Sequence, residues 1–262
     1  MNPIDSLFAR LKTERKKAFI PFITAGDPDL DATAKLLREC AQRGASLIEV
    51  GFPYSDPIAD GSVIQASYTR ALSNGVSVDG IFAMMRTLDV KVPLVAMVSY
   101  SIVHHRGPER FVRDAKAAGF VGAIVPDLPV DEAEDLGKIA ASHDFKLVLL
   151  VTPTTPRERA VRIAQLSSGF LYCVSVVGIT GERSQMPPDL LDQLRWLRTQ
   201  TPLPLCVGFG ISKPAHVRLL RDVADGVIVG SAIVRKLEST QPVDLVVKEV
   251  GALVGELVSA LE

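Results

Sequence analysis

Glu49 and Asp60 are the residues of this chain whose types and placement point most directly to chemistry. Both lie in LIEVGFPYSDPIADG, residues 47–61, a stretch that begins as an apolar run fit for burial and ends as a loop. Side chains alternate along a strand, so Leu47 and Glu49 share one face and Ile48 and Val50 the other. A carboxylate at the end of a buried strand is partly desolvated, which raises its pKa and suits it to proton transfer near neutral pH. Asp60 follows eleven residues later, in a loop that must pass over the same place. Two carboxylates in different surroundings can hold different protonation states. Each also has a plain structural reading: Glu49 as the ion-pair partner of a lysine or arginine, Asp60 as the cap of a helix beginning near Ser62.

A second chemistry is written in glycine. VGFGIS (207–212) carries Gly208 and Gly210, and VGSAIV (229–234) carries Gly230 and Ser231. GITGERS (178–184) adds Gly181. Glycines let backbone N–H groups approach an anion closely, and a following helix N-terminus adds a favourable dipole. Neither of the first two loops contains lysine, so the expectation is a phosphate held by backbone donors.

These residues need a scaffold that brings strand ends together. Eight short runs rich in Val, Ile and Leu read as strands buried on both faces: 18–24, 46–51, 93–98, 121–126, 146–151, 169–175, 204–209 and 225–230. Helical patterns separate them at 29–44, 107–119, 130–143, 155–169, 187–200 and 212–223, and the interval 52–92 has room for two more. Further helices fall at 3–14, where one would cover the bottom of a barrel, and at 242–261. Eight strand–helix units predict a closed (β/α)8 TIM barrel with additional N-terminal and C-terminal helices, a single domain over 1–262, with an open doubly wound sheet as the alternative. The glycine loops then follow strands seven and eight, where barrels of this kind often bind phosphate.

Composition narrows the partners. The 262 residues are 47% hydrophobic with formal net charge −1, which gives no electrostatic reason to expect nucleic acid or an anionic membrane surface. No apolar run approaches the ~20 residues of a membrane span, and the charged N-terminal stretch does not read as a secretory signal. Cys40, Cys173 and Cys206 are far apart in sequence and read as reduced, buried thiols, which fits a cytoplasmic protein.

The acidic stretch resembles the signature of the tryptophan synthase alpha subunit family. FIPFITAGDPD (19–29), VPDLP (125–129), SVVGITGERS (175–184), VGFGIS and DGVIVGSAIV are similar to that family in order and spacing. The resemblance covers nearly the whole chain. It implies a (β/α)8 lyase of L-tryptophan biosynthesis, which cleaves indole-3-glycerol phosphate to indole and glyceraldehyde 3-phosphate by retro-aldol chemistry without metal or cofactor in this chain. It puts the catalytic carboxylates at Glu49 and Asp60, and Phe22, Tyr100, Asp127, Tyr172 and Phe209 around the indole and glycerol pocket. The phosphate donors it implies are Gly181, Gly210, Gly230 and Ser231. It further implies a pyridoxal-phosphate beta subunit as partner in an alpha2-beta2 tetramer, contacted through Pro53, Asp56 and Pro57. The loop at about 178–188 would be a lid whose Thr180 meets Asp60. Ser62 stands where the family commonly has proline, and Val176 where some members have arginine; both adjoin the closing loops.

Other residues carry less. His104 and His105 are adjacent and read as a solvated loop before a helix, while His143 and His216 lie on helices without metal-ligand spacing. Trp196, Met84 and Met85 read as packing. Two other functions fit the same fold: a self-sufficient lyase that releases free indole, and a catalytically silent barrel that binds a sugar phosphate and regulates a partner. The presence of both carboxylates argues against the silent barrel.

Overall fold

The structure is a computed structural model that describes residues 1–57, 60–175, 188–208 and 210–261. Its nine parallel strands are β1 (Ala18–Thr24), β2 (Ile48–Gly51), β3 (Leu94–Met97), β4 (Gly122–Ile124), β5 (Lys146–Val148), β6 (Leu150–Val151), β7 (Leu171–Val174), β8 (Leu205–Gly208) and β9 (Gly226–Val229). Their order is β5-β4-β3-β2-β1-β9-β8-β7-β6. The two ends of that order are halves of one chain run, interrupted only at Leu149. β4 pairs with the first half and β7 with the second, so the ladder returns on itself through a single split strand. Nine segments thus occupy the eight barrel positions read from the sequence.

The strands separate two cores. Alternate residues such as Ile20, Phe22, Leu47, Val95, Met97, Ile124, Val148, Tyr172, Cys206 and Ile228 face inward as one cluster. Their neighbours, among them Ile23, Ile48, Val50, Ala96, Val207 and Val227, pack with the helices in the other. This is why the strands are apolar on both faces.

The helix Pro3–Glu14 closes the bottom. Ile4, Leu7, Phe8 and Leu11 join the inner cluster, with Phe8 and Phe170 ring centroids 5.9 Å apart. Asn2 caps this helix and donates to the carbonyls of Val121 and Asp144 at the feet of β4 and β5. The C-terminal helix Val243–Ser259 buries Val246, Val247, Val250, Val254 and Leu257.

Two local expectations change. His104 and His105 are not in a loop: they form the last turn of a helix, Tyr100–Arg106, capped by Ser99. Both remain exposed, and Tyr100 and His104 pack edge to face. Asp60 does not cap the helix Ser62–Ser73, because Gly61 occupies the cap position without a side-chain bond. Among the described residues no helix is long and apolar enough to cross a membrane. Cys40, Cys173 and Cys206 are buried free thiols, and burial pushes Cys40 and Cys173 up to about 12.

Candidate active site

Glu49 is the third-from-last residue of β2, paired in the ladder with Phe22 of β1 and Val95 of β3. All three point into the barrel, since the faces fixed by Leu47, Phe22 and Val95 are the inner ones. Glu49 is 0% exposed, and neither carboxylate oxygen has a hydrogen-bond partner among the described residues. No ion pair reaches it among those residues, so the ion-pair reading of this glutamate does not hold. Burial pushes its carboxyl well above the usual range, which keeps it protonated where an ordinary glutamate would ionise. An unpaired, buried polar group of this kind is costly to the fold, and such groups gather where function needs them.

Asp60 reaches the same place from the loop after β2. Its backbone is pinned on both sides: its N–H donates to the Pro57 carbonyl (3.0 Å), and its own carbonyl accepts from Gln65 Nε2 (2.8 Å). The carboxylate accepts a hydrogen bond from the Tyr54 hydroxyl at 3.2 Å. Burial first, then the negative charge of Asp127, push the Asp60 carboxyl up to about 6, against the Tyr54 bond, which lowers it. The two carboxylates therefore differ in their surroundings: burial raises Glu49 with no hydrogen bond among the described residues to offset it, whereas the Tyr54 bond holds Asp60 to about 6.

Both line one cavity of about 490 Å³ at the carboxyl ends of the strands. Phe22, Ile64, Met97, Tyr172 and Ile228 form its apolar wall, and Gly210, Ser212, Gly230 and Ser231 a polar one. Gly208 has a structural part, because a Cβ there would overlap the Tyr172 hydroxyl. Gly210 has φ +73°, a left-handed conformation that favours glycine. Gly230 is different: a Cβ there would meet Phe22 at an ordinary 3.6 Å.

The cavity thus collects Phe22, Glu49, Asp60, Tyr172, Gly210, Gly230 and Ser231 of the residues singled out in the sequence. Tyr100 and Asp127 meet each other beyond β3 and β4: Asp127 accepts from the Tyr100 N–H (2.7 Å) and the Ser99 hydroxyl (2.6 Å); neither is in the lining of this cavity, although the charge of Asp127 reaches Asp60. Pro53 is buried, Pro57 half-buried and Asp56 exposed in the segment after β2. Thr180, Gly181, Phe209 and Val176 lie outside the described residues.

Sequence reasoning missed Arg235 and Lys236, which also line the cavity. They sit in the 3-10 turn Arg235–Glu238, directly after the short helix Ser231–Val234. Arg235 follows Ser231 by four residues, a helical spacing that could have revealed it. The lining thus includes two cations, and Lys236 is shared with Glu249 at 3.7 Å. The loop after β1 is tied to the same wall. Asp27, whose side chain is 1% exposed, accepts from Arg70 Nη2 (2.6 Å), Arg70 Nε (3.0 Å) and the Ser67 hydroxyl (2.5 Å), all on the helix that follows Asp60.

The family model described as "Tryptophan synthase alpha chain" matches residues 8–261. A tryptophan synthase alpha chain from Rhodopirellula baltica is 54% identical over 242 residues, covering 90% of this chain and 87% of that one. Among solved structures, tryptophan synthase subunit alpha from Legionella pneumophila matches with TM-score 0.90 and 34% identity, covering 100% of this chain and 98% of the other. A chain from the tryptophan synthase complex of Pyrococcus furiosus matches with TM-score 0.84 and 36% identity, covering 93% of this chain and 99% of that one.

Proposed function

This chain belongs to the tryptophan synthase alpha chain family, lyases that cleave indole-3-glycerol phosphate in tryptophan biosynthesis, and from that premise we propose that Glu49 and Asp60 carry the reaction. The observation that carries the reading is the pairing of a fully buried, unbonded carboxyl with a second carboxylate on one cavity wall.

Indole leaves poorly unless its C3 is first protonated. Glu49, whose carboxyl burial holds well above the usual carboxylate range, supplies that proton as general acid. Positive charge then develops on the ring nitrogen, and Asp60, ionised above about pH 6, accepts a hydrogen bond from the ring N–H and stabilises it. Glu49, now a carboxylate, takes the proton of the glycerol hydroxyl as the carbon–carbon bond breaks. The bond electrons return to the ring, and the products are indole and an aldehyde. Phe22, Met97 and Tyr172 give the ring an apolar bed. Gly210, Gly230 and Ser231 hold the phosphate, which fixes the far end of the substrate. Tyr100, Asp127, Thr180, Gly181 and Phe209 complete the proposed site.

The whole chain, 1–262, is proposed as one barrel domain working in the cytoplasm. Its proposed partner is a beta subunit holding pyridoxal phosphate, in an alpha2-beta2 assembly contacted through Pro53, Asp56 and Pro57. The likeness to a chain of the Pyrococcus furiosus complex supports a partner. The deciding experiment is Glu49→Gln, which keeps shape and removes the proton donor. Cleavage is expected to fall on the order of 10²-fold or more with substrate binding largely kept. Near-normal turnover in a pure preparation overturns the assignment. Assaying the wild-type chain with and without a beta subunit separates a coupled subunit from a self-sufficient lyase.

A further inference from the structure

Tyr54 occupies the segment between β2 and Asp60. It is half-buried, and its ring packs against Tyr68 of the helix Ser62–Ser73 with centroids 5.5 Å apart at 54°. Tyr68 is 1% exposed, so Tyr54 leans on a fixed surface. Its hydroxyl donates to Asp60 Oδ2 at 3.2 Å. No other described residue makes a hydrogen bond to that carboxylate. The hydrogen bonds of its backbone, to the Pro57 carbonyl and from Gln65 Nε2, fix where Asp60 sits, but they leave its χ angles free. Among the described residues, the orientation of the carboxylate therefore rests on the Tyr54 hydroxyl.

We propose that Tyr54 is a positioning residue for the lyase reaction: it holds Asp60 Oδ2, so that Oδ1 is the oxygen presented to the ring N–H of the substrate. The proposal rests on the role given to Asp60 above. It also assigns Tyr54 an electrostatic part. The groups facing Asp60 are Asp127 beyond β4, Glu49 on β2, Tyr68 on the following helix and Tyr172 on β7, with Asp56 beside Tyr54 itself and Arg235 and Lys236 on the cavity wall. Burial and Asp127 favour the protonated form of Asp60, whereas a hydroxyl donor favours the ionised form that the reaction uses.

Tyr54→Phe tests this, because it keeps the ring on Tyr68 and removes only the donor. The pH dependence of kcat/KM for indole-3-glycerol phosphate cleavage is measured for wild type, Tyr54→Phe and Asp60→Asn. In the wild type the acid limb is expected near pH 6, from Asp60. In Tyr54→Phe the limb moves up by about one pH unit, so that activity at pH 6 falls by roughly tenfold relative to its own value at pH 8.5. In Asp60→Asn the limb disappears with most of the turnover. The position of a limb does not depend on how much of the preparation is folded, so a less stable variant still reports. A limb unmoved in Tyr54→Phe but lost in Asp60→Asn overturns the role of Tyr54 alone. A wild-type profile in Asp60→Asn overturns the role of Asp60 itself.

Discussion

Replacing Glu49 by glutamine is expected to make the protein more heat-resistant than wild type, by an amount that grows with pH. In the fold Glu49 is 0% exposed, with no cation and no hydrogen bond to its oxygens among the described residues, so it stays protonated. In the unfolded chain it ionises around its ordinary value of 4.5. Above that value the folded state binds one more proton than the unfolded state, so stability falls as pH rises until the folded value is reached. Across that window the loss is about 1.4 kcal/mol per pH unit, the worth of one proton. For a chain of this size that is about 3–5 °C in Tm per pH unit. Glutamine does not titrate and escapes the slope, although its own buried amide adds a constant cost. Asp60 contributes a slope of the same sign, but it is present in both proteins and cancels in the difference. Scanning calorimetry at pH 5.5, 6.5 and 7.5 measures that difference. Parallel Tm profiles would refute the reasoning, because they would mean that Glu49 is ionised in the fold, or solvated.

Two further substitutions probe the walls of the cavity. Gly230→Ala places its Cβ at an ordinary 3.6 Å from Phe22, and calorimetric affinity for glycerol phosphate is expected to drop by about tenfold, from a methyl group crowding the anion; unchanged affinity would remove the phosphate from this loop. Arg70→Ala leaves the Asp27 carboxylate buried with Ser67 as its side-chain donor, and is expected to cost about 3 kcal/mol in a chemical denaturation series, with a wild-type midpoint as the contrary result.

The eight strand runs were legible because a strand buried on both faces needs an unbroken apolar segment, and each of the eight contains a strand of the structure. The face of Glu49 was legible from alternation alone. The split at Leu149 was not, since no glycine or proline marks it and the break arises in the pairing of β4 and β7 with different halves. The helix Tyr100–Arg106 was hidden for a related reason: beside its own Ser99 cap, its first N–H is held by Asp127, a residue distant in sequence. The cap reading of Asp60 failed by one residue, because the chain turns into the helix at Gly61 and leaves the aspartate free to meet Tyr54. That contact, like the approach of Arg235 and Lys236, depends on where loops cross, which local pattern does not encode.

The pairing of β1 with β9, Ala18 beside Gly226, has a consequence for synthesis in the cell. At about 5–20 residues per second, a ribosome delivers β9 roughly ten to forty seconds after β1. Through that interval β1, a seven-residue strand buried along its whole length in the finished barrel, has one edge without its partner. An uncovered apolar edge is a template for pairing with other chains. Nascent or truncated chains that stop short of Gly226 are therefore expected to aggregate or to occupy chaperones, however sound the rest of their sequence.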